Sequence, residues 1–310
     1  MENICVIGSI NMDLVIKVSR MGKVGETILS KGCYKNPGGK GANQAVAASR
    51  LGAHVHMIGK VGNDETGDIL IKKLIEDNID IEYISIDNVN PTGMAVITVD
   101  EAANNSIIVV PGANMSTDCS DIQKSKDIIK MSKLIVAQFE TPVEATIAAF
   151  KIARENNVIT ILNPAPAREI PDELLALTDI IVPNETEAYE LTKVKIDSEN
   201  SIRLAAKKFL ESGVKYVIIT LGERGAALVS QVDYEVLKAL RVNAIDTTAA
   251  GDSFIGALAC MLCGCEKIEF EKIKEAVIFA NKVSSMVVQK SGAQASLPRL
   301  EEVLKEFGEE

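Results

Sequence analysis

Short, nearly continuous apolar runs alternate along this chain with longer segments whose apolar positions recur at helical spacing. The runs 4–7, 55–58, 134–139, 158–162, 180–182 and 216–220 are rich in β-branched residues and predict strands. Between and after them the pattern predicts helices over 41–51, 66–77, 143–156, 185–191, 201–212, 249–264 and 270–288. Strands that are apolar throughout and alternate with helices imply a sheet buried on both sides. The expected fold class is α/β: a central, mostly parallel sheet flanked by helices on both faces.

Segments 12–37 and 92–110 break this rhythm. They carry strand-like pieces at 14–18, 27–34, 94–99 and 106–110 with no helix between them. Read as antiparallel sheet inserted into the α/β body, they predict a small β-sheet lid able to shield a reaction from water; ordinary edge hairpins are the alternative. No repeat or Pro-rich linker divides the chain, so one domain over 1–310 carrying that lid is expected.

Composition narrows the partners. The chain has 310 residues, 47% of them hydrophobic, enough to bury about three quarters of its unfolded surface. A net charge of -10, from 43 acids against 33 bases, and the lack of a basic block argue against nucleic acid or an anionic membrane as main partner. Any phosphate must be met by local dipoles, a metal or single cations. The first residues enter a strand without a basic, cleavable leader, and the longest uncharged apolar helix, 253–265, is too short to span a bilayer. The cytoplasm is the expected location. Cys260, Cys263 and Cys265 lie close enough to suggest zinc, yet the first two fall inside an apolar helix and the two histidines, His54 and His56, lie elsewhere. Buried free thiols are expected instead.

The densest candidate chemistry is Asp246-Thr247-Thr248-Ala249-Ala250-Gly251-Asp252, running into the apolar helix that begins near Phe254. The first amides of that helix, from Ala249 to Asp252, have no acceptor within it and suit a phosphate gaining negative charge. Asp252 at that helix end reads either as a base or as a helix cap. Gly38-Gly39-Lys40-Gly41-Ala42-Asn43-Gln44 precedes another helix and is either a ligand-binding loop or a tight turn; it lacks the Gly-Lys-Ser/Thr spacing of a Walker A loop. Asn11 and Asp13, two apart in an extended segment after the first strand, face one side and suit a sugar diol, or else serve a local turn. Glu140 ends a strand ahead of a helix, where it either binds substrate or meets the helix dipole. Asn184 and Glu187 stand three apart at a helix start, as a hydrated Mg2+ would require or as a cap followed by an acid would look. Gly222 and Gly225 after Thr220 allow a backbone turn beside a nucleotide, or a plain hairpin.

Together, the Gly38-to-Ala47 and Asp246-to-Asp252 segments resemble the two signatures of the ribokinase family of sugar and nucleoside kinases. Gly8-Ser9-Ile10-Asn11-Met12-Asp13, Asn163-Pro164-Ala165-Pro166-Ala167-Arg168 and Pro183-Asn184-Glu185-Thr186-Glu187 extend that resemblance over nearly the whole chain. It implies ATP-dependent phosphorylation of the D-ribose 5-hydroxyl, with Asp252 as base beside the amides of Ala249, Ala250 and Gly251. It places Asn11, Asp13, Gly39, Lys40, Asn43 and Glu140 on the sugar, and Asn184, Thr220, Gly222, Gly225 and Asn281 along ATP. Glu187 would organise Mg2+ through water, while Asp246, Thr248, Val287, Lys290, Gly292 and Ser296 match a K+ site, several through main-chain carbonyls. A homodimer formed through the lid is implied as well. Two positions depart from the family pattern: Pro37 ahead of the glycines, and Asn281 where a histidine occurs in some members. Deoxyribose, a nucleoside or a keto-sugar acid remains the alternative substrate, and a sugar-binding regulator without turnover the alternative class.

Overall fold

The computed structural model describes residues 3–102 and 104–308. In chain order the first half contains β1 (Asn3–Ile7), β2 (Asn11–Lys17), β3 (Gly32–Gly38), α1 (Lys40–Arg50), β4 (His54–Gly62), α2 (Glu65–Glu76), β5 (Ile84–Asp87), β6 (Gly93–Val99) and β7 (Asn105–Val110). There follow α3 (Cys119–Lys124), α4 (Lys126–Met131), β8 (Ser132–Ala137), α5 (Val143–Glu155), β9 (Ile159–Leu162), α6 (Asp172–Leu177), β10 (Ile180–Ile181) and α7 (Glu185–Thr192). The last third holds α8 (Glu199–Glu211), β11 (Tyr216–Thr220), β12 (Ala226–Val229), β13 (Tyr234–Leu237), α9 (Ala250–Cys263), α10 (Phe270–Val287) and α11 (Leu300–Phe307).

Nine strands form one sheet in the order β13-β12-β11-β10-β9-β8-β1-β4-β5, parallel from β11 to β5 with β12 and β13 antiparallel at one edge. Alternation along β1 shows why both faces are filled. Ile4 and Val6 pack with Ala45 and Val46 of α1, Leu258 of α9 and Val277 of α10, whereas Cys5 and Ile7 pack with Phe150 of α5 and Phe209 of α8. Helix starts are fixed locally: Asp64 caps α2 through the Gly67 amide at 2.8 Å, a contact worth about 1 kcal/mol.

The remaining strands form a second sheet, β3-β2-β6-β7. It corrects two expectations. The outer strand lies at Gly32–Gly38 and not at 27–34, because its pairing with β2 sets Gly38 against Asn11 and Gly32 against Lys17. The sheet is also mixed, since β2 and β6 run parallel. Pro37 fits within β3 because that strand is an edge and needs no inward N–H there. The short helices α3, α4, α6 and α11 and the strands β5 and β13 are additional to the predicted set. All six cysteines are free, but Cys33 and Cys119 are exposed, so burial holds for Cys5 and Cys263 and not for the whole group. Among the described residues no cluster of His, Cys, Asp and Glu could hold a metal, and no helix is long and apolar enough to cross a membrane.

Candidate active site

The carboxyl ends of β8, β9, β10 and β11 open toward the starts of α1 and α9. They enclose a cleft of about 210 Å3 whose lining includes Lys40, Asn184, Glu187, Thr220, Ala249, Gly251 and Asp252. This is where an open parallel sheet exposes its strand ends to a ligand.

Asp252 is the third residue of α9. It makes no cap: Ala249 precedes the helix in the left-handed region (φ 60°) with no side-chain cap bond. The carboxylate instead reaches α1, where Oδ2 accepts from Asn43 Nδ2 at 2.9 Å and Oδ1 from Gln44 Nε2 at 3.0 Å. Burial raises its pKa, opposed by the Lys40 ammonium and by these two donors. Of the proposed anion-cradling amides, that of Ala250 already donates to the Thr247 carbonyl at 3.2 Å. Those of Gly251 and Asp252 lie in the first turn, where no helical carbonyl stands four residues back.

On the other side of Lys40, Asn11 and Asp13 lie on one face of β2 and are both buried. Asp13 is pushed up to about 7 by burial and then by the charges of Glu140 and Asp252, with Lys40 opposing. Glu140 does not serve the helix that follows it. Its Oε2 accepts from Ser9 Oγ at 2.5 Å and from the Lys40 amide at 3.2 Å, binding three distant segments together. Gly39 is required by its geometry: φ is +90° and a Cβ would stand 2.7 Å from the Asn11 nitrogen. Lys40 faces Asp252, Glu140, Glu187 and Asp13; burial lowers its pKa, but these four acids outweigh that and raise it. The glycine cluster is thus a tight turn that also delivers a cation to four carboxylates.

Along the cleft, Asn184 and Glu187 form a reciprocal capping box on α7, each side chain 2.8 Å from the other's amide nitrogen. The cap reading of this pair therefore holds, and Glu187 still faces the cleft, its carboxyl raised chiefly by burial. Thr220 bridges to Asn184 and pairs with Ala226 in the β11–β12 hairpin, whose turn contains Gly222 and Gly225. Asn281 lies apart from the cleft lining: it is buried in α10 and donates to the Leu237 carbonyl at 3.1 Å, pinning β13.

The residues matched to a monovalent cation also converge. Asp246 accepts from the Thr248 amide at 2.9 Å and from the Gly292 amide at 2.8 Å, joining two loops. Burial raises its pKa, but these amides prevail and hold it below the usual carboxylate range. The Val287 carbonyl takes the Lys290 amide at 3.0 Å, and Ser296 Oγ donates to the Ala293 carbonyl at 2.7 Å. Lys290 Nζ turns outward to Glu302 at 3.3 Å, so its charge does not fill the loop.

Three buried amides around Asp252 had no assigned role in the sequence reading: Gln44, Gln138 and Asn163. Gln44 and Asn163 stand inside recognised segments, so position in a motif was the available signal. Gln138 has no local pattern, because its partner Gln44 is 94 residues away.

An acid held beside helix-start amides, with a cation and polar strand ends around it, defines a small-molecule kinase cleft on an α/β scaffold. Residues 1–300 match the model described as pfkB family carbohydrate kinase, and the chain belongs to that family. A ribokinase of Staphylococcus aureus (strain COL) is 44% identical over 303 residues, covering 97% of this chain and 98% of that protein. The bifunctional ribokinase/ribose-5-phosphate isomerase A of Fructilactobacillus sanfranciscensis is also 44% identical over 305 residues; the match covers 98% of this chain but 56% of that protein. The structure of Arabidopsis thaliana ribokinase complexed with ribose and ATP superposes with a TM-score of 0.88 at 32% identity, over 98% of each chain.

Proposed function

We propose that this chain phosphorylates the 5-hydroxyl of D-ribose with ATP, giving D-ribose 5-phosphate and ADP. The observation that carries the reading is the Asp252 carboxylate, fixed by two amide donors at the start of α9 and sharing its cleft with Lys40. Family membership and full-length likeness to proteins named ribokinase support the substrate. In this mechanism Asp252 takes the hydroxyl proton as that oxygen bonds to the γ-phosphorus and the bond to the β-phosphate oxygen breaks. A loose phosphoryl transition state needs little early deprotonation, so positioning supplies most of the acceleration. The amides of Gly251 and Asp252 receive the developing charge. Asn11, Asp13, Gly39, Lys40, Asn43 and Glu140 hold the sugar, and Asn184, Thr220, Gly222 and Gly225 border the nucleotide. Asn281 spends one amide proton on the Leu237 carbonyl and lies toward the nucleotide's end of the cleft.

Glu187, a carboxyl on the cleft wall, fits a water-mediated Mg2+ contact, and that ion would neutralise phosphate charge. The Asp246 loop fits K+: it holds a carboxylate with a depressed pKa, and the Lys290 ammonium is turned away. We place the homodimer contact on the small sheet and the enzyme in the cytoplasm, where ATP is available.

An ATP-consumption assay over pentoses, deoxyribose, hexoses and nucleosides, with K+ or a large organic cation, tests the reading. Turnover greatest on D-ribose is expected. Asp252→Asn should lower kcat by about a hundredfold or more with little change in sugar binding; a nearly active variant removes Asp252 from the chemistry. No ADP formation with any of these substrates would favour a binding protein without turnover.

A further inference from the structure

Behind Asp252 lies a chain of carboxamides whose orientation leaves no freedom. It starts at a group that can only accept, the Val182 carbonyl, which takes Asn163 Nδ2 at 3.1 Å. Asn163 Oδ1 must then be the atom facing Gln44, and it accepts from Gln44 Nε2 at 3.2 Å. The same Nε2 donates to Asp252 Oδ1 at 3.0 Å, while Gln44 Oε1 accepts from Gln138 Nε2 at 2.7 Å. Both protons of Gln44 Nε2 are used, one on Asn163 and one on Asp252. Turning the Gln44 amide over would set its oxygen against two acceptors and its NH2 against the NH2 of Gln138. All four side chains are buried, Gln138 and Gln44 almost completely, so water cannot relieve the mismatch.

We infer that Gln44 is a positioning residue for the phosphoryl-transfer base: it fixes the plane of the Asp252 carboxylate and keeps that group ionised. The inference rests on the role proposed for Asp252. Asn43 holds the other oxygen, but Asn43 also accepts from Gln294 Nε2 at 3.2 Å and is counted among the sugar-binding residues. Gln44 has no path to the sugar, because its polar atoms are spent on Asp252, Asn163 and Gln138. Its effect should therefore reach catalysis through Asp252 alone. The other charges facing Asp252 are Lys40, from the start of α1, and Glu140, from the loop after β8; Asp252 in turn acts on Asp13 of β2 and Glu187 of α7.

Two variants separate this role from simple support of the fold. Gln44→Glu replaces the donor to Oδ1 by a second acid, so Asp252 should retain its proton to higher pH. Gln44→Met keeps a similar shape and removes the donor. The readouts are the pH dependence of kcat with ribose and ATP, and the titration of Asp252 followed by 13C NMR of labelled aspartate, assigned by its loss in Asp252→Asn. In Gln44→Glu the acid limb of kcat and the Asp252 carbon resonance should both move up by about one pH unit or more. In Gln44→Met kcat should fall at least about tenfold while the ribose KM stays within about threefold. An unmoved Asp252 titration, or a Gln44→Met enzyme of wild-type kcat, would overturn the inference. If the wild type turns over no sugar, the proposed function fails, while the NMR titration still decides whether Gln44 governs the ionisation of Asp252. Should Gln44→Glu not fold, Gln44→Met decides by both readouts.

Discussion

Asp13 combines a proposed sugar contact with the cost of burying an acid. Its pKa, raised to about 7, means that the folded chain holds a proton on Asp13 between roughly pH 4 and pH 7 that the unfolded chain releases. The folded state binds more protons over that window, so this group's contribution to stability is present at low pH and is lost as pH rises through about 7. Asp13→Asn should therefore raise the unfolding midpoint relative to wild type more at pH 8 than at pH 5, as differential scanning fluorimetry would read. The same substitution should weaken ribose binding at least about tenfold by removing a charged acceptor. In the wild type the ribose KM should climb as pH falls from 8 to 6; an equal shift in midpoint at both pH values would show that Asp13 is not the strained acid. Asn11, Asp13, Lys40 and Asp252 were legible in the sequence because short motifs carry them. The amides of Gln44, Gln138 and Asn163 were not given roles, since their partners come from segments up to 208 residues apart and buried hydrogen bonding has no sequence period.

Among the elements, α1 and α9 decide whether the site exists, because one presents Asn43 and Gln44 and the other Asp252. Their approach depends on Gly256, where a Cβ would stand 2.5 Å from Ala47 Cβ and 2.8 Å from the Gln44 carbonyl oxygen. Gly256→Ala should force the helices apart at a cost of about 1–3 kcal/mol, lower the unfolding midpoint and reduce kcat more than it changes the ATP KM. A variant with wild-type stability and kcat would show that the contact is slack. The longer helices were readable from apolar spacing, and strands such as β1 and β11 from unbroken Val and Ile runs. The six-residue helices α3, α4 and α6 span too few turns to establish a period. α11 is different: Leu300, Val303, Leu304 and Phe307 fall at i, i+3, i+4 and i+7, a complete helical signal after Pro298 that is absent from the predicted set. β3 was displaced because cross-strand pairing with β2, and not its own composition, sets its limits.

For the whole molecule, the two sheets contrast in their cover. The nine-stranded sheet has packed helices on both faces, whereas β7 at the edge of the small sheet is exposed at every residue, with Ile107, Ile108, Val109 and Val110 between 45% and 65% accessible. Tyr34 on the opposite edge strand and Met115 beyond β7 are also exposed. An apolar edge strand of this kind is an aggregation hazard unless another surface covers it. A second copy of the small sheet would supply that surface, as the proposed homodimer requires. The same strands deliver Asn11 and Asp13, so the contact would also steady the sugar side of the cleft. Sedimentation equilibrium at micromolar concentration should thus give twice the 33.3 kDa chain mass. Ile108→Asp should shift the protein toward a single chain and raise the ribose KM several-fold, while the Asp252 titration stays unchanged. A wild-type protein that sediments as one chain, or an Ile108→Asp protein that remains paired, would remove this sheet as the point of contact.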